Sequence, residues 1–363
     1  MSLNRIAVVM SKNIRIKDIA KLAGVSVGTV DRVIHKRGQV APEAYNKVRE
    51  ILEKTGYKPN LIASTLGSNK KYRIAALIPN PEQDEYWQLS NEGVEQAITE
   101  WDQYGVKVEM QYFDLYSPDS FSTVSQQVLQ STPDGIITAP LFYDEAKQFF
   151  NSCQRANIPY VVFNNNVPDA NPITFIGQDL YDSGRVAAEL LQINRNESGT
   201  YVILHVYDDI HSSIHLSQKE KGFRDYFEEL NDKKYNVISL DLNTSHEPTL
   251  EKDLREILAK NELKGILVTT SRGASIVSSM LMKLGKNDIR LVAYDLLKEN
   301  KNYLKKGIID FLINQNSKRQ AFLGIGQLAN HLLFHKKIPA SYLFPLEIIS
   351  RQNLASYLQA ASH

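Results

Sequence analysis

Between Ile16 and Leu52 the chain spells two short helical patterns around a tight turn, then a third, and this arrangement limits the fold of its head more than any other stretch. Ile16, Ile19, Ala20 and Ala23 recur at i, i+3, i+4 and i+7, one apolar stripe of a helix. Gly24 follows as a stop, because it adopts positive φ at no steric cost. Ser26 is a good N-cap for a second helix that would bury Val30, Val33 and Ile34. Pro42 after Ala41 suits the first position of a third helix, which would bury Val48, Ile51 and Leu52 and end at Gly56. Two helices joined by a three-residue turn containing glycine make a helix-turn-helix.

Charge says what such a head would grip. Residues 1–71 hold fourteen Lys/Arg against five Asp/Glu, a balance of +9, while the rest holds twenty-eight against thirty-six, a balance of −8. A basic head on an acidic body points to a polyanion partner for the head alone. In a helix-turn-helix the start of the second helix faces the major groove, which here presents Val27, Gly28, Asp31 and Arg32. Arg32 is the candidate for a bidentate guanine contact, worth about 1–3 kcal/mol of discrimination. Thr29, Lys36 and Arg37 are better placed to hold phosphate.

The segment Tyr57–Leu66 reads as a Pro59-led helix of about two turns, too short to be stable alone in water. A pair of them, one per subunit, would fold together while pressing Leu66 into a minor-groove step, with Asn60 and Ala63 also against DNA. The runs IKDIAKLAGVS, TVDRV and YKPNLIASTL resemble the head and hinge of the LacI family of ligand-controlled bacterial repressors. That resemblance implies Val27, Gly28 and Arg32 as base readers and Ala63 and Leu66 as minor-groove hinge residues. Asp31 departs from the family, which usually has a phosphate-holding serine there. Beside DNA, a carboxylate must accept from a cytosine amine or pair with Arg32.

From Arg73 onward, β-rich runs alternate with helical patterns. RIAALIP, VKVEMQYF, GIITAP and IPYVVFN form one series; ITFIG opens a second, with TYVILHV, YNVISLDL, KGILVTT and DIRLVAY. Alternation of this kind means parallel sheets covered by helices, and two series mean two lobes. The fold expected is thus a small all-α helix-turn-helix domain followed by a two-lobed α/β core. The boundaries are 14–58 for the head, 59–71 for hinge helix and linker, and 72–363 for the body. Within the body, lobe 1 takes about 72–172 and 298–335, and lobe 2 about 173–297 and 338–358.

Ligands of open parallel sheets sit beyond the carboxyl ends of strands. The loops there are rich in Asn, Asp, Tyr, Trp and Arg, which suits a small polyhydroxylated molecule; Asn164 and Asp179 are candidates from that position alone. The body resembles the periplasmic-binding-protein-like core of the same family, whose commonest effectors are sugars. The resemblance places Asp295 of VAYDLL on ligand hydroxyls and Tyr86 or Trp87 as a stacking aromatic. Lys219 stands where the family has arginine, keeping the charge but losing the bidentate fork. Arg272 stands where it often has Asn-Asp.

Other classes find little support. Neither G-x-G-x-x-G after the first strand nor G-x-x-x-x-G-K-[ST] occurs, and no His/Cys/carboxylate group has metal spacing. No catalytic residue, metal or cofactor is expected; Ser212 and Ser213 with His211 and His215 form a loose polar loop. The single cysteine, Cys153, fits a reducing cytoplasm. Nowhere do eighteen apolar residues run together to span a membrane. The sequence therefore predicts a homodimeric, cytoplasmic regulator, acting as a repressor on double-stranded operator DNA under control of a carbohydrate effector. The alternative is a solute-binding module for carbohydrate transport.

Overall fold

The computed structural model describes residues 14–35, 38–55, 70–194, 198–206, 214–230, 234–242, 247–259, 263–286 and 288–361. Contacts divide the chain into two units, residues 1–69 and 70–363.

The described part of the head is three helices, α1 (Ile16–Ala23), α2 (Val27–His35) and α3 (Pro42–Thr55). Gly24 ends α1 with φ of 66°, and its backbone N–H donates to the carbonyl of Ala20. The hydroxyl of Ser26 accepts from the backbone N–H of Thr29 at 3.1 Å, capping α2. Ile19, Ala20, Ala23, Val30, Val33 and Val48 close a small core, with Ile16, Ile34, Ile51 and Leu52 packed partly buried around it. The apolar stripes therefore converge as their spacing requires. Gly56 and the hinge segment lie outside the described residues.

Among the described residues the body holds two six-stranded sheets. The first orders its strands β11-β5-β4-β3-β1-β2 and the second β12-β10-β9-β8-β6-β7. Sheet one comprises β1 (Tyr72–Pro79), β2 (Val106–Phe113), β3 (Gly135–Thr138), β4 (Tyr160–Phe163), β5 (Thr174–Gly177) and β11 (Ser341–Leu343). Sheet two comprises β6 (Gly199–Val206), β7 (Tyr235–Leu242), β8 (Leu263–Val268), β9 (Arg290–Tyr294), β10 (Phe311–Asn314) and β12 (Glu347–Ser350). All pairings are parallel except β10 with β12. An antiparallel edge strand on a parallel sheet is common.

Helices α4 (Glu85–Trp101), α5 (Pro118–Gln130), α6 (Tyr143–Arg155) and α12 (Ser317–Phe334) belong with sheet one. With sheet two go α7 (Leu180–Gln192), α8 (Ile214–Glu229), α9 (Glu247–Ala259), α10 (Gly273–Leu284), α11 (Lys298–Lys306) and α13 (Leu354–Ala361). Each lobe buries an apolar cluster on both faces of its sheet, as a parallel sheet must.

The lobe boundaries differ from those expected. The run ITFIG does not open the second lobe, since β5 pairs in register with β4. Residues 298–314 belong to lobe 2, where β10 pairs with β9, and β11 returns to lobe 1 beside β5. A short apolar run carries no mark of its partner; the pairing register decides membership. The chain thus crosses between lobes after Gly177, after Asn314 and after Leu343. One side chain ties the three crossings. Gln178 Nε2 donates to the carbonyl of Asn314 at 3.0 Å and to that of Pro345 at 2.8 Å.

Candidate DNA interface and ligand cleft

Helix α2 buries Val30 and Val33 and turns its opposite face outward. Val27 is 41% exposed, Gly28 and Arg32 are exposed, and Thr29 and Asp31 are half-buried. The Thr29 hydroxyl lies 2.9 Å from that of Ser26, so it helps fix the start of the helix. Arg32 borders a hollow lined by Gly38, Gln39, Val40, Ala41, Pro42 and Tyr45. Five groups proposed for the head can thus be placed, and all sit on one short helix. Lys36, Arg37, Asn60, Ala63 and Leu66 lie outside the described residues. Leu22, 50% exposed, and Tyr45, 36% exposed, are outward apolar groups that the helical stripes did not single out.

In the body, Tyr86 opens α4 behind the N-cap Asp84, whose carboxylate accepts from the Tyr86 backbone N–H at 2.8 Å. The Tyr86 hydroxyl meets the Asn164 side-chain amide. Asn164 follows β4 with φ of 68°, and its backbone N–H donates to Gln320 at 3.0 Å. The left-handed backbone is tolerated by asparagine and turns the amide back toward Tyr86. Burial pushes the Tyr86 hydroxyl well above its ordinary range, and the nearby Asp295 and Asp84 carboxylates add to this. It therefore acts as a neutral donor and acceptor.

Across the cleft Asp295 follows β9, only 2% exposed. Its carboxylate accepts from the Ser271 hydroxyl, from the Gln315 backbone at 2.8 Å and from the Gln315 amide at 2.7 Å. Burial pushes the Asp295 carboxyl up, against the pull of these donors and of Lys219. Lys219, 2% exposed, lies 3.6 Å from the ring centroid of Tyr294 and donates to the Thr269 carbonyl at 3.3 Å. It is withdrawn into the wall, where cation and ring stabilise each other. Helix packing puts it there. A Cβ on Gly222 would lie 1.9 Å from the Tyr181 carbonyl and one on Gly184 1.9 Å from the Lys219 carbonyl, so only glycines let α7 and α8 approach this closely.

Behind Lys219, Glu220 bonds His205 at 2.8 Å, Arg224 at 2.6 Å and Ser239 at 2.7 Å. Burial works against ionisation of Glu220, but His205, Ser239 and Arg224 outweigh it and bring its carboxyl down to about 2. His205 also meets the Thr269 hydroxyl at 2.8 Å. This wall is a chain of paired polar groups, which is what permits charge under an apolar sheet.

The expected ligand residues thus fall into two groups. Tyr86 and Asn164 are joined on lobe 1; Asp295, Lys219 and Arg272 gather on lobe 2. Two others are placed elsewhere. Trp87 is 5% exposed and packs edge-on against Tyr86 at 5.1 Å and Phe163 at 6.5 Å, inside the lobe 1 core. Asp179 is exposed and caps α7, accepting from the Asp182 backbone at 3.0 Å. Missed by the sequence was Gln315, which holds Asp295; Ser271, which also holds it, and Tyr116 and Asp84, which meet Arg272, stand in the strand-end loops 270–272, 114–117 and 80–87 that the sequence marks without singling them out. Gln315 went unseen because β10 lies in GIIDFLINQN, too brief a run to stand out as a strand.

A family model of periplasmic binding protein domains matches residues 74–337, and one of bacterial regulatory proteins of the lacI family matches residues 15–60. The sucrose operon repressor of Streptococcus mutans is 23% identical over 343 residues, covering 94% of this chain and 99% of that protein. A crystal structure from Bacteroides fragilis, of a protein assigned as a LacI transcriptional regulator, superimposes with a TM-score of 0.72 at 29% identity, over 79% of this chain and all of that one. A glucose-galactose binding protein from Geobacillus stearothermophilus shares the fold, with a TM-score of 0.69 at 20% identity over 79% of this chain and 99% of that one.

Proposed function

We propose that this chain, which belongs to the lacI family of bacterial regulatory proteins and carries a periplasmic binding protein domain, is a homodimeric repressor that releases or grips an operator according to a sugar or sugar derivative held between its two lobes. One observation carries the DNA half of this reading. Helix α2 is seated by a buried apolar face and a capped turn, and presents Val27, Gly28 and Arg32 outward from a head with a charge balance of +9. Arg32 would read a guanine edge, and Val27 would touch a thymine methyl. Thr29, Lys36 and Arg37 would hold phosphate, and Asn60, Ala63 and Leu66 would engage the minor groove.

Support for the sugar half comes from the cleft. Tyr86, Asn164 and Asp295 offer neutral and charged acceptors beside amide and hydroxyl donors, the mixture that hydroxyl groups need. The relatives are named for a sucrose operon and for glucose and galactose, which agrees with a carbohydrate effector. Among the described residues no helix is long and apolar enough to cross a membrane. With one cysteine, a cytoplasmic setting fits. The coupling needed between effector and operator is about 1–3 kcal/mol, typical of allosteric proteins.

Fluorescence titration of the full chain with duplexes enriched from a random pool tests the DNA reading. Binding to enriched duplex should exceed binding to random duplex by at least about a thousandfold at moderate salt; equal binding ends it. Thermal-shift screening against sugars, sugar acids and nucleosides tests the effector, which should raise the body's midpoint by mass action.

A further inference from the structure

The two lobes meet directly beyond the carboxyl ends of β1 and β2. Beyond β1, Leu297 of lobe 2 is buried in the apolar cluster of lobe 1 with Tyr86 and Trp87. The next residue, Lys298, donates its backbone N–H to Glu85 of lobe 1 at 2.7 Å. The second meeting point adjoins it and reaches the edge strand β2. Arg272, after β8 of lobe 2, donates to the Tyr116 hydroxyl, and its guanidinium lies over the Tyr116 ring at 5.4 Å from the centroid. Its Nε also stands 3.9 Å from Asp84. Tyr116 follows β2, the strand at the opposite edge of its sheet from β5 and β11, where the chain crosses between lobes.

That placement has a mechanical consequence. A rotation about the crossings displaces the far edge most, so contacts there are the first to break as the lobes part. Arg272 stacks on a ring that is itself 56% exposed, on a turn held by Leu115 against the lobe 1 core and by the Asp114 carboxylate, which accepts from the Tyr116 backbone at 2.7 Å. Asp84 keeps its N-cap bond to α4 while facing the guanidinium, so lobe 1 presents a fixed carboxylate rather than a swinging one. Together these groups form a clasp across the mouth.

From this geometry we infer that Arg272, with Tyr116 and Asp84, is a positioning residue that sets the balance between open and closed lobes, and so the threshold at which an effector acts. The inference rests on the regulator reading only for that last consequence; the clasp itself is a property of the body. Losing a charge-assisted hydrogen bond with its stacked ring should move the open-to-closed ratio roughly tenfold. A closed population near nine in ten would then fall to about half.

The test uses the full chain without DNA or sugar. Cysteines replacing the exposed Asp119 of lobe 1 and Glu256 of lobe 2 carry spin labels, while the buried Cys153 stays unlabelled. Labelled chain is diluted in excess unlabelled chain, and distances are read by pulsed electron resonance. Arg272→Ala and Tyr116→Ala should each move the distribution to longer distances, and the double variant should move it no further than the larger single change. Tyr116→Phe, which keeps the ring, should give an intermediate shift. Lys283→Ala, which breaks a bridge to Glu251 inside lobe 2, should give none. Distributions that superimpose for parent, Arg272→Ala and Tyr116→Phe overturn the clasp, as do single shifts that add independently. Both sites are partly exposed, and melting curves verify folding. If the lobes open as expected but no sugar in the screen binds, the clasp stands and the effector reading fails.

Discussion

The two lobes face the cleft with different chemistry. Lobe 1 brings mainly neutral groups, Tyr86 and Asn164, steadied by Gln320, and its half-buried acid Asp84 caps α4 and faces Arg272. Lobe 2 brings charge. Asp295 and Lys219 are buried, and behind them Glu220 is held by three donors. Burying charge is costly unless each group is paired. The second lobe can therefore offer a preset electrostatic wall but tolerates no missing partner, while the first can lose one hydrogen bond at a time.

The largest expected effect follows from that asymmetry. Asp295→Ala strands the Ser271 hydroxyl and both Gln315 donors and removes the acid nearest the Lys219 charge, and should destabilise the body by about 3 kcal/mol. Both tryptophans of the chain, Trp87 and Trp101, lie in lobe 1; their fluorescence during urea unfolding reports whether damage in lobe 2 spreads through the body. Asp295→Asn keeps the volume and should cost less. Equal stability of parent and Asp295→Ala would refute the account of a preset wall.

A smaller loss, about 2 kcal/mol, is expected for Glu220→Gln, which weakens three bonds to an ionised acceptor. Here pH sharpens the comparison. The Glu220 carboxyl is depressed to about 2 from an ordinary value of 4.5. Its stabilisation is complete above the ordinary value and disappears as pH falls from 4.5 through about 2. The gap between parent and variant should thus narrow with acid. A gap that stays constant down to about pH 3 would mean that Glu220 is not the ionised hub. On lobe 1, Tyr86→Phe removes one neutral hydrogen bond and should cost about 1 kcal/mol, with no pH dependence in that range.

How far the sequence foretells this site depends on the range of the interaction. The head is legible because its signals are local: helical stripes, Gly24, the Ser26 cap and Pro42 each act within a turn or two. Nine strands are legible for the same reason, as apolar runs bounded by polar loops. Sheet membership is not, because ITFIG would suit either lobe until its register with β4 is known. The site divides likewise. Asp295 and Tyr86 stand where a strand-end rule and family likeness both point, whereas Gln315 reaches Asp295 only through the pairing of β10 with β9. Lys219 is legible as a cation but not as one folded back over Tyr294, since that depends on the glycine contact between two helices.

Asp179 puts a last and smallest test to the difference between reading a loop and seeing it. As a polar residue just beyond a strand it qualifies as a ligand group; in the structure its carboxylate caps α7 and the side chain is exposed. The two roles predict different things. A cap contributes about 1 kcal/mol, so Asp179→Ala should lower the urea midpoint slightly. Asp179→Ser, another good capping residue, should restore it. Neither substitution should change the affinity for whichever sugar the thermal screen identifies. A tenfold loss of that affinity, about 1.4 kcal/mol, in both variants at unchanged stability would return Asp179 to the ligand. It would also mean that the cleft extends to the N-terminus of α7, adding a third acid to the charged wall of lobe 2 and widening the contrast with lobe 1.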